Sequence, residues 1–419
     1  MRRPDWIAGN RVELLVNGEQ YFPRAFEAID NAEREVLLET FIWFDDKVGR
    51  ALRETLLRAA RRGVSVDVTV DGWGSPDLSD SFIAPLTAAG VRWHVFDPFP
   101  RPFRKLALFR RMHRKLLVID GRRAFVGGIN YSADQLLDFG PEAKQDYSVQ
   151  IEGPIVAQMH RFARATIAPK RDAWRWRRRR DEVAPRGLPE AGPADAMFVT
   201  RDNQRHTSSI EYHYRVAIRA AKRELIIANA YFFPGYRVLR EMRRAARRGV
   251  RVRLIVQGNP DMAIVPIAAR TLYDYLLDSG ITVYEYCTRP LHGKVALTDE
   301  QWSTIGSSNL DPLSLSLNLE ANLMLRDRAF NATLRAELER LMAEDCKAIE
   351  PGESRPRSWW RPVVTTLVFH FLRRFPSWVG WLPAHVPRLA RRGPGLEAAP
   401  PPARREGAAR RARRERLTE

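Results

Sequence analysis

Residues 112–120 read MHRKLLVID, a basic cluster running into four apolar residues and ending on an aspartate. In an extended chain His113 and Lys115 share a face, whereas Asp120, an odd number of residues from His113, points the other way. Taken alone, the stretch fits an ordinary buried strand with a charged lip. Its second copy changes that reading. Residues 291–299 read LHGKVALTD, so His292, Lys294 and Asp299 match His113, Lys115 and Asp120, each 179 positions further on. GGIN at 127–130 recurs as GSSN at 306–309 with the same displacement, which pairs Asn130 with Asn309. A spacing of His-x-Lys-x4-Asp-x6-Gly-[Gly/Ser]-x-Asn used twice in one chain marks a duplicated site, not a packing accident.

The duplication extends beyond the motif. AARRGV occurs at 59–64 and at 245–250, followed by SVDVTVDG and RVRLIVQG. Ahead of each copy stands a strand-like apolar run, EVLLETFIWF or ELIIANAYFF, itself preceded by a helical pattern. Both halves therefore read helix, strand, helix, strand, with Gly as the helix stop. This alternation predicts an α/β fold with largely parallel sheets covered by helices. The expected divisions are a first domain over 1–168, a linker over 169–196 rich in Pro, Arg and small residues, and a second domain over 197–349. A tryptophan-punctuated segment follows over 350–390, then a disordered basic tail over 391–419.

With 69 Lys and Arg against 50 Asp and Glu, the formal net charge is +19, which suits a polyanionic partner. Charge alone does not choose between nucleic acid and an anionic membrane surface. The two cysteines, Cys287 and Cys346, have no zinc-type spacing and suggest no disulfide framework, which points to a reducing compartment. The stretch MRRPDWIAGN lacks the apolar core of a signal peptide, and no apolar run is long enough to span a bilayer.

A duplicated His, Lys and Asn set with no metal-ligand cluster beside it suits phosphoryl chemistry. Two lysines can hold the non-bridging oxygens of one phosphate, and two asparagines can donate further hydrogen bonds. One histidine can attack phosphorus while the other protonates the leaving alcohol and deprotonates the incoming one. Each histidine needs a carboxylate on its other nitrogen. Asp146 in KQDYSVQIEG and Glu320 in LNLEANLML are expected to fill that place, while the face argument gives Asp120 and Asp299 structural hydrogen bonds.

The two motif copies resemble the signature of the phospholipase D superfamily, over about residues 10–345. HRKLLVIDGRRAFVGGINYSADQLLDFGPEAKQDY (113–147), YFFP (231–234) and GSSNLDPLSLSLNLEAN (306–322) look more closely like the bacterial cardiolipin synthases of the B group. The resemblance implies two phospholipase-D-like domains related by a pseudo-two-fold, with the active site at their interface. It also implies a catalytic motif set of His113, Lys115, Asp120, His292, Lys294 and Asp299. His113 would be the nucleophile and His292 the general acid and base, a ranking the residues themselves do not supply. The implied reaction is cofactor- and metal-independent phosphatidyl transfer between two phosphatidylglycerols, giving cardiolipin and glycerol. A phospholipase D-type hydrolase or nuclease using water would carry the same motifs. A tryptophan-rich tail argues against a nuclease, so no nucleic-acid partner is expected, and intact motifs argue against a binding protein with a dead site.

Membrane docking would show as aromatic and basic residues interleaved. Residues 97–112, with Phe99, Phe103, Phe109 and five basic side chains, read as a lip of the site or as a packed loop. Residues 359–385 read as an in-plane interfacial helix or hairpin, or as a cap on the second domain. The expected location is peripheral on the bacterial inner membrane, at its cytoplasmic face, with anionic phospholipid as partner.

Overall fold

The computed structural model describes residues 5–76, 78–98, 111–167, 187–204, 206–258, 272–350 and 389–392. The first half contains β1 (Ile7–Val16), α1 (Asn17–Asp30), β2 (Glu35–Thr40), α2 (Lys47–Arg61), β3 (Ser65–Asp71), α3 (Asp80–Ala88), β4 (Arg92–Phe96), β5 (Leu116–Ile119), β6 (Arg123–Gly127), β7 (Tyr147–Glu152) and α4 (Ile155–Ile167). The second contains β8 (Ala194–Arg201), α5 (Ser209–Ala220), β9 (Glu224–Asn229), α6 (Tyr236–Arg247), β10 (Arg251–Gln257), β11 (Thr282–Tyr286), β12 (Lys294–Thr298), β13 (Trp302–Gly306), α7 (Pro312–Ser316), β14 (Glu320–Arg326), α8 (Arg328–Glu344) and β15 (Cys346–Ala348). β16 (Leu389–Arg392) closes the set.

Strand order makes the duplication visible. It runs β15-β11-β10-β9-β12-β13-β14-β8-β1-β7-β6-β5-β2-β3-β4-β16, so each strand has its counterpart at the same distance from the central β8–β1 pair. The sheet is mixed, but its parallel share is smaller than the repeat suggested. β2, β3 and β4 are parallel, as are β9, β10 and β11; the other described ladders are antiparallel. Helical crossovers return the chain in the same direction, whereas β5–β6 and β12–β13 are joined by tight turns that reverse it.

AARRGV can be read residue by residue. Gly63 and Gly249 adopt φ of 88° and 87°, the left-handed conformation that ends α2 and α6. The preceding arginines reach back to the previous helix. Arg62 donates to the Ile29 and Ala32 carbonyls, and Arg248 to those of Ile218, Arg219 and Ala221.

Successive strand residues feed different cores. In β5, Leu117 and Ile119 join the cluster under α1–α3, while Leu116 and Val118 join a cluster shared by both halves. In β12, Ala296 faces the helices of the second half, and Val295 and Leu297 face the shared cluster. α4 and α8 also contribute to that shared cluster, so the two halves bury one common interior.

Two boundaries move. Ala191 donates its N–H to the Gly9 carbonyl and β8 begins at Ala194, so the end of the expected linker already belongs to the sheet. Leu389–Arg392 pair antiparallel with β4, which makes residues 391 and 392 strand instead of disordered tail. Residues 99–110, most of the linker and tail, and the tryptophan segment at 359–385 lie outside the described residues. Among the described residues, no helix is long and apolar enough to cross a membrane.

Candidate active site

The sheet ends that face one another across the pseudo-two-fold build the site. β2 and β9 finish at Thr40 and Asn229, and their antiparallel neighbours β5 and β12 start there. His113 and Lys115 immediately precede β5; His292 precedes β12 and Lys294 begins it. EVLLETFIWF reads as one strand-like run, but the chain leaves the sheet at Phe41. The Phe41 ring packs edge-on against His113 at 4.9 Å, with the Lys115 ammonium 5.3 Å from its centroid.

Short bridges between halves set the histidines. The His113 N–H donates to the Leu319 carbonyl at 2.9 Å, and the Leu319 N–H to that of Arg111 at 2.8 Å. Symmetrically, the His292 N–H donates to the Gln145 carbonyl at 2.8 Å and the Gln145 N–H to that of Pro290 at 2.9 Å. Each bridge therefore places a histidine of one half beside the residue preceding a carboxylate of the other.

The side chains complete the exchange. His113 Nδ1 lies 3.1 Å from Glu320 Oε2, and His292 Nδ1 lies 2.5 Å from Asp146 Oδ2. Both expected carboxylates are thus at the histidines, but each serves the histidine of the opposite half. A carboxylate on Nδ1 fixes the tautomer with its lone pair on Nε2, leaving that nitrogen for chemistry.

The carboxylates have unequal support. Ser307 Oγ donates to Glu320 Oε2 at 2.5 Å, and the Ser307 carbonyl also lies 3.1 Å from His113 Nδ1. In the first half Gly128 takes the place of Ser307, and a Cβ there would sit 2.3 Å from Asp146 Oδ1. The shorter Asp therefore needs Gly beneath it, and the longer Glu takes Ser. The GGIN-to-GSSN difference is the trace of this exchange in the sequence, and Ser307 is the site residue it marks.

Lys115 and Lys294 are almost completely buried, and each ammonium donates to the backbone carbonyl of its own histidine, two residues back. Burial and the Lys294 charge push Lys115 down to about 7; burial pushes Lys294 down to about 8. Burial and the neighbouring lysines hold both histidines below the ordinary imidazole range, His292 well below. Burial raises Asp146 to about 6, whereas for Glu320 the effects of His113 and Lys115 outweigh burial and lower it. The result is a pocket of neutral imidazoles and reluctant cations, an environment that rewards a bound anion.

Asn130 and Asn309 are buried beside this cluster. Asn130 Oδ1 accepts the Ile42 N–H at 3.2 Å, which leaves its amide donors for another group. Asn309 Oδ1 is buried without a partner among the described residues.

Asp120 and Asp299 lie away from the site, at the far ends of β5 and β12. Asp120 accepts the backbone N–H groups of Glu33, Arg34 and Glu35; Asp299 accepts those of Lys222, Arg223 and Glu224. Both have positive φ, 53° and 48°. Both motif carboxylates are thus engaged with backbone N–H groups. Strand alternation alone does not set this placement, since each aspartate lies in a turn beyond its strand.

Further site-building residues carried no repeat signal. Arg111, buried, donates from Nε and Nη2 to Asp71 Oδ1, and Asp71 Oδ2 accepts the Met112 N–H, fixing the approach to His113. Arg114 pairs with buried Glu39 at 2.7 Å, while the matching Gly293 makes room for the Tyr147 ring. Among the described residues no group of three or more His, Cys, Asp or Glu could hold a metal ion.

Two crossed histidine–carboxylate pairs around two buried lysines, on a duplicated α/β sheet, define a phosphoryl-transfer site of the phospholipase D kind. Residues 25–164 and 214–342 match the family described as cardiolipin synthase, PLD-like domain, and the chain belongs to that family. It is 54% identical to cardiolipin synthase B of Salmonella typhi over 402 residues, covering 96% of this chain and 95% of that protein. It is likewise 54% identical to cardiolipin synthase B of Escherichia coli strain K12, covering 93% and 94%, and 36% identical to cardiolipin synthase A of Pseudomonas putida strain GB-1, covering 79% and 68%. Among solved structures, the phosphatidylserine synthase of Haemophilus influenzae Rd KW20 is similar in fold, with a TM-score of 0.67 at 15% identity, covering 91% of this chain and 98% of that one.

Proposed function

We propose that the protein is a phosphatidyltransferase that joins two phosphatidylglycerol molecules into cardiolipin and releases glycerol. The observation that carries this reading is the crossed pair of histidine–carboxylate contacts, which makes one site from two halves, in a chain of the cardiolipin synthase family.

His113 Nε2 attacks the donor phosphorus while Glu320 stabilises the charge that develops on its ring. The bond from phosphorus to the leaving glycerol oxygen breaks, and that oxygen takes a proton from His292. Burial and the field of Lys294, Lys144 and Lys115 keep His292 neutral in the empty site; the lipid phosphate offsets that field, so binding prepares the acid. The glycerol hydroxyl of the second lipid then gives its proton to His292 and attacks phosphorus, and the bond to His113 breaks. Lys115, Lys294, Asn130 and Asn309 hold the non-bridging oxygens throughout, an electrostatic contribution of about 3 kcal/mol for each well-placed donor.

A lipid surface is the natural neighbour of this site. Phe44, Trp73, Leu137, Phe139 and Tyr236 are exposed, and all lie in segments that follow strands ending at the catalytic end of the sheet. This apolar rim supports peripheral docking at the anionic, cytoplasmic leaflet. The test supplies phosphatidylglycerol vesicles with EDTA present. Cardiolipin plus glycerol is the expected product; phosphatidic acid alone would make the protein a hydrolase, and plasmid cleavage without lipid turnover a nuclease.

A further inference from the structure

Lys144 is a cation at the site that the duplication does not explain. Lys144 lies two residues before Asp146, so in this extended stretch the two side chains share a face. Gln145 between them is bonded through its backbone to Pro290 and His292, which fixes Lys144 on the His292 side. The residue two before Glu320 is Asn318, whose side chain accepts the Arg111 N–H and whose carbonyl accepts from Arg201. Among the described residues, the position on the His113 side equivalent to Lys144 therefore holds no cation.

Lys144 is also held differently from the central pair. It remains about a quarter exposed, and its ammonium meets the Asp134 carboxylate. Asp134 keeps the Ser132 hydroxyl and Gln135 amide as donors if Lys144 swings away. The field of Lys144 reaches His292 and Asp146 and lowers both. Among the described residues, Arg111 is engaged by Asp71, Arg114 by Glu39, and Arg289 by Tyr286 and Gln145.

The chemistry of the acceptor supplies the need for such a group. An acceptor phosphatidylglycerol brings its own phosphodiester, three carbons from the hydroxyl that must reach His292. Two anions then share a desolvated site, where like charges repel strongly. Lys115 and Lys294 are occupied by the donor phosphate.

We propose that Lys144 is the acceptor subsite, binding the phosphodiester of the second lipid while its glycerol hydroxyl meets His292; this rests on the phosphatidyl-transfer reading above.

The test uses the full chain with labelled phosphatidylglycerol as donor and compares two acceptors. One is phosphatidylglycerol, read as cardiolipin; the other is tritiated free glycerol, which carries no charge and is read as exchange into phosphatidylglycerol. Lys144→Met should lower the ratio of cardiolipin formation to glycerol exchange roughly tenfold to a hundredfold, the value of one hydrogen bond to a charged group. Lys144→Arg should restore most of the ratio. Equal loss in both reactions would place Lys144 on the donor or in the scaffold, and an unchanged ratio would remove it from recognition; either overturns the proposal. Wild-type protein that exchanges glycerol but makes no cardiolipin would instead fail the parent reading, and the subsite with it.

Discussion

Replacing Asp120 separates the role of a motif residue from membership of the motif. Its carboxylate accepts N–H groups from Glu33, Arg34 and Glu35 at 3.0, 2.8 and 2.8 Å, tying the start of β2 to the turn after β5. Asp120 lies five residues beyond Lys115, about 16 Å along an extended chain at ~3.3 Å per residue. Asp120→Ala removes all three acceptor contacts and leaves a non-glycine residue at positive φ. With two of the donors near solvent, the loss is about 2–4 kcal/mol of stability, or a fall of roughly 2–5 °C in Tm. Asp120→Asn keeps the oxygen that serves Arg34 and Glu35 and tolerates the backbone angle, so it should cost about 1 kcal/mol. Calorimetry measures both. Phosphatidyl transfer, assayed well below each Tm, should stay within about twofold of wild type for either variant. An unchanged Tm with a hundredfold fall in turnover would refute the scaffold role and return Asp120 to the chemistry.

Much of the site was legible because duplication writes each functional position twice. His113, Lys115, Asn130 and their partners in the second half could be picked out by displacement alone, whereas Asp146 and Glu320 stood out as carboxylates opening a strand-like run in each half. The crossing of the carboxylates could not, because a repeat shows equivalence and not which copy meets which. It depends on the backbone bridges at Gln145–Leu291 and Met112–Leu319, which join segments far apart in sequence. The parallel content of the sheet was overestimated for a local reason. The helix–strand alternation covers β2–β4 and β9–β11, whereas the antiparallel remainder follows from the Asp120 and Asp299 turns, whose left-handed backbone the spacing did not reveal. Lys144, Arg111 and Phe41 were missed because they have no twin.

The remaining predictions concern charge, space and the lipid surface. The pH profile of kcat/KM should be bell-shaped: activity falls below about 6 as Asp146 takes up a proton and releases His292. It also falls above about 7–8 as Lys115 and Lys294 lose the charge that binds phosphate. A flat profile between pH 5 and 9 would contradict it. Gly128→Ala should cut turnover by roughly tenfold to a hundredfold while the protein still folds, because the added methyl displaces Asp146 from His292; wild-type turnover would show that the contact yields. Trp73→Ser and Phe139→Ser should each weaken sedimentation with phosphatidylglycerol liposomes roughly tenfold, the burial value of one large apolar side chain. Undiminished binding of the double variant would place the docking surface elsewhere.

The central claim is a single composite site in which His113 carries the phosphatidyl group between two lipids. Acid-labile, base-stable label trapped from donor lipid bearing 32P, followed by peptide mapping, tests it most directly. The account predicts label on His113, chased into cardiolipin by unlabelled phosphatidylglycerol and lost in His113→Ala. Label on His292, or cardiolipin formed with no labelled histidine at any point in the time course, would contradict it.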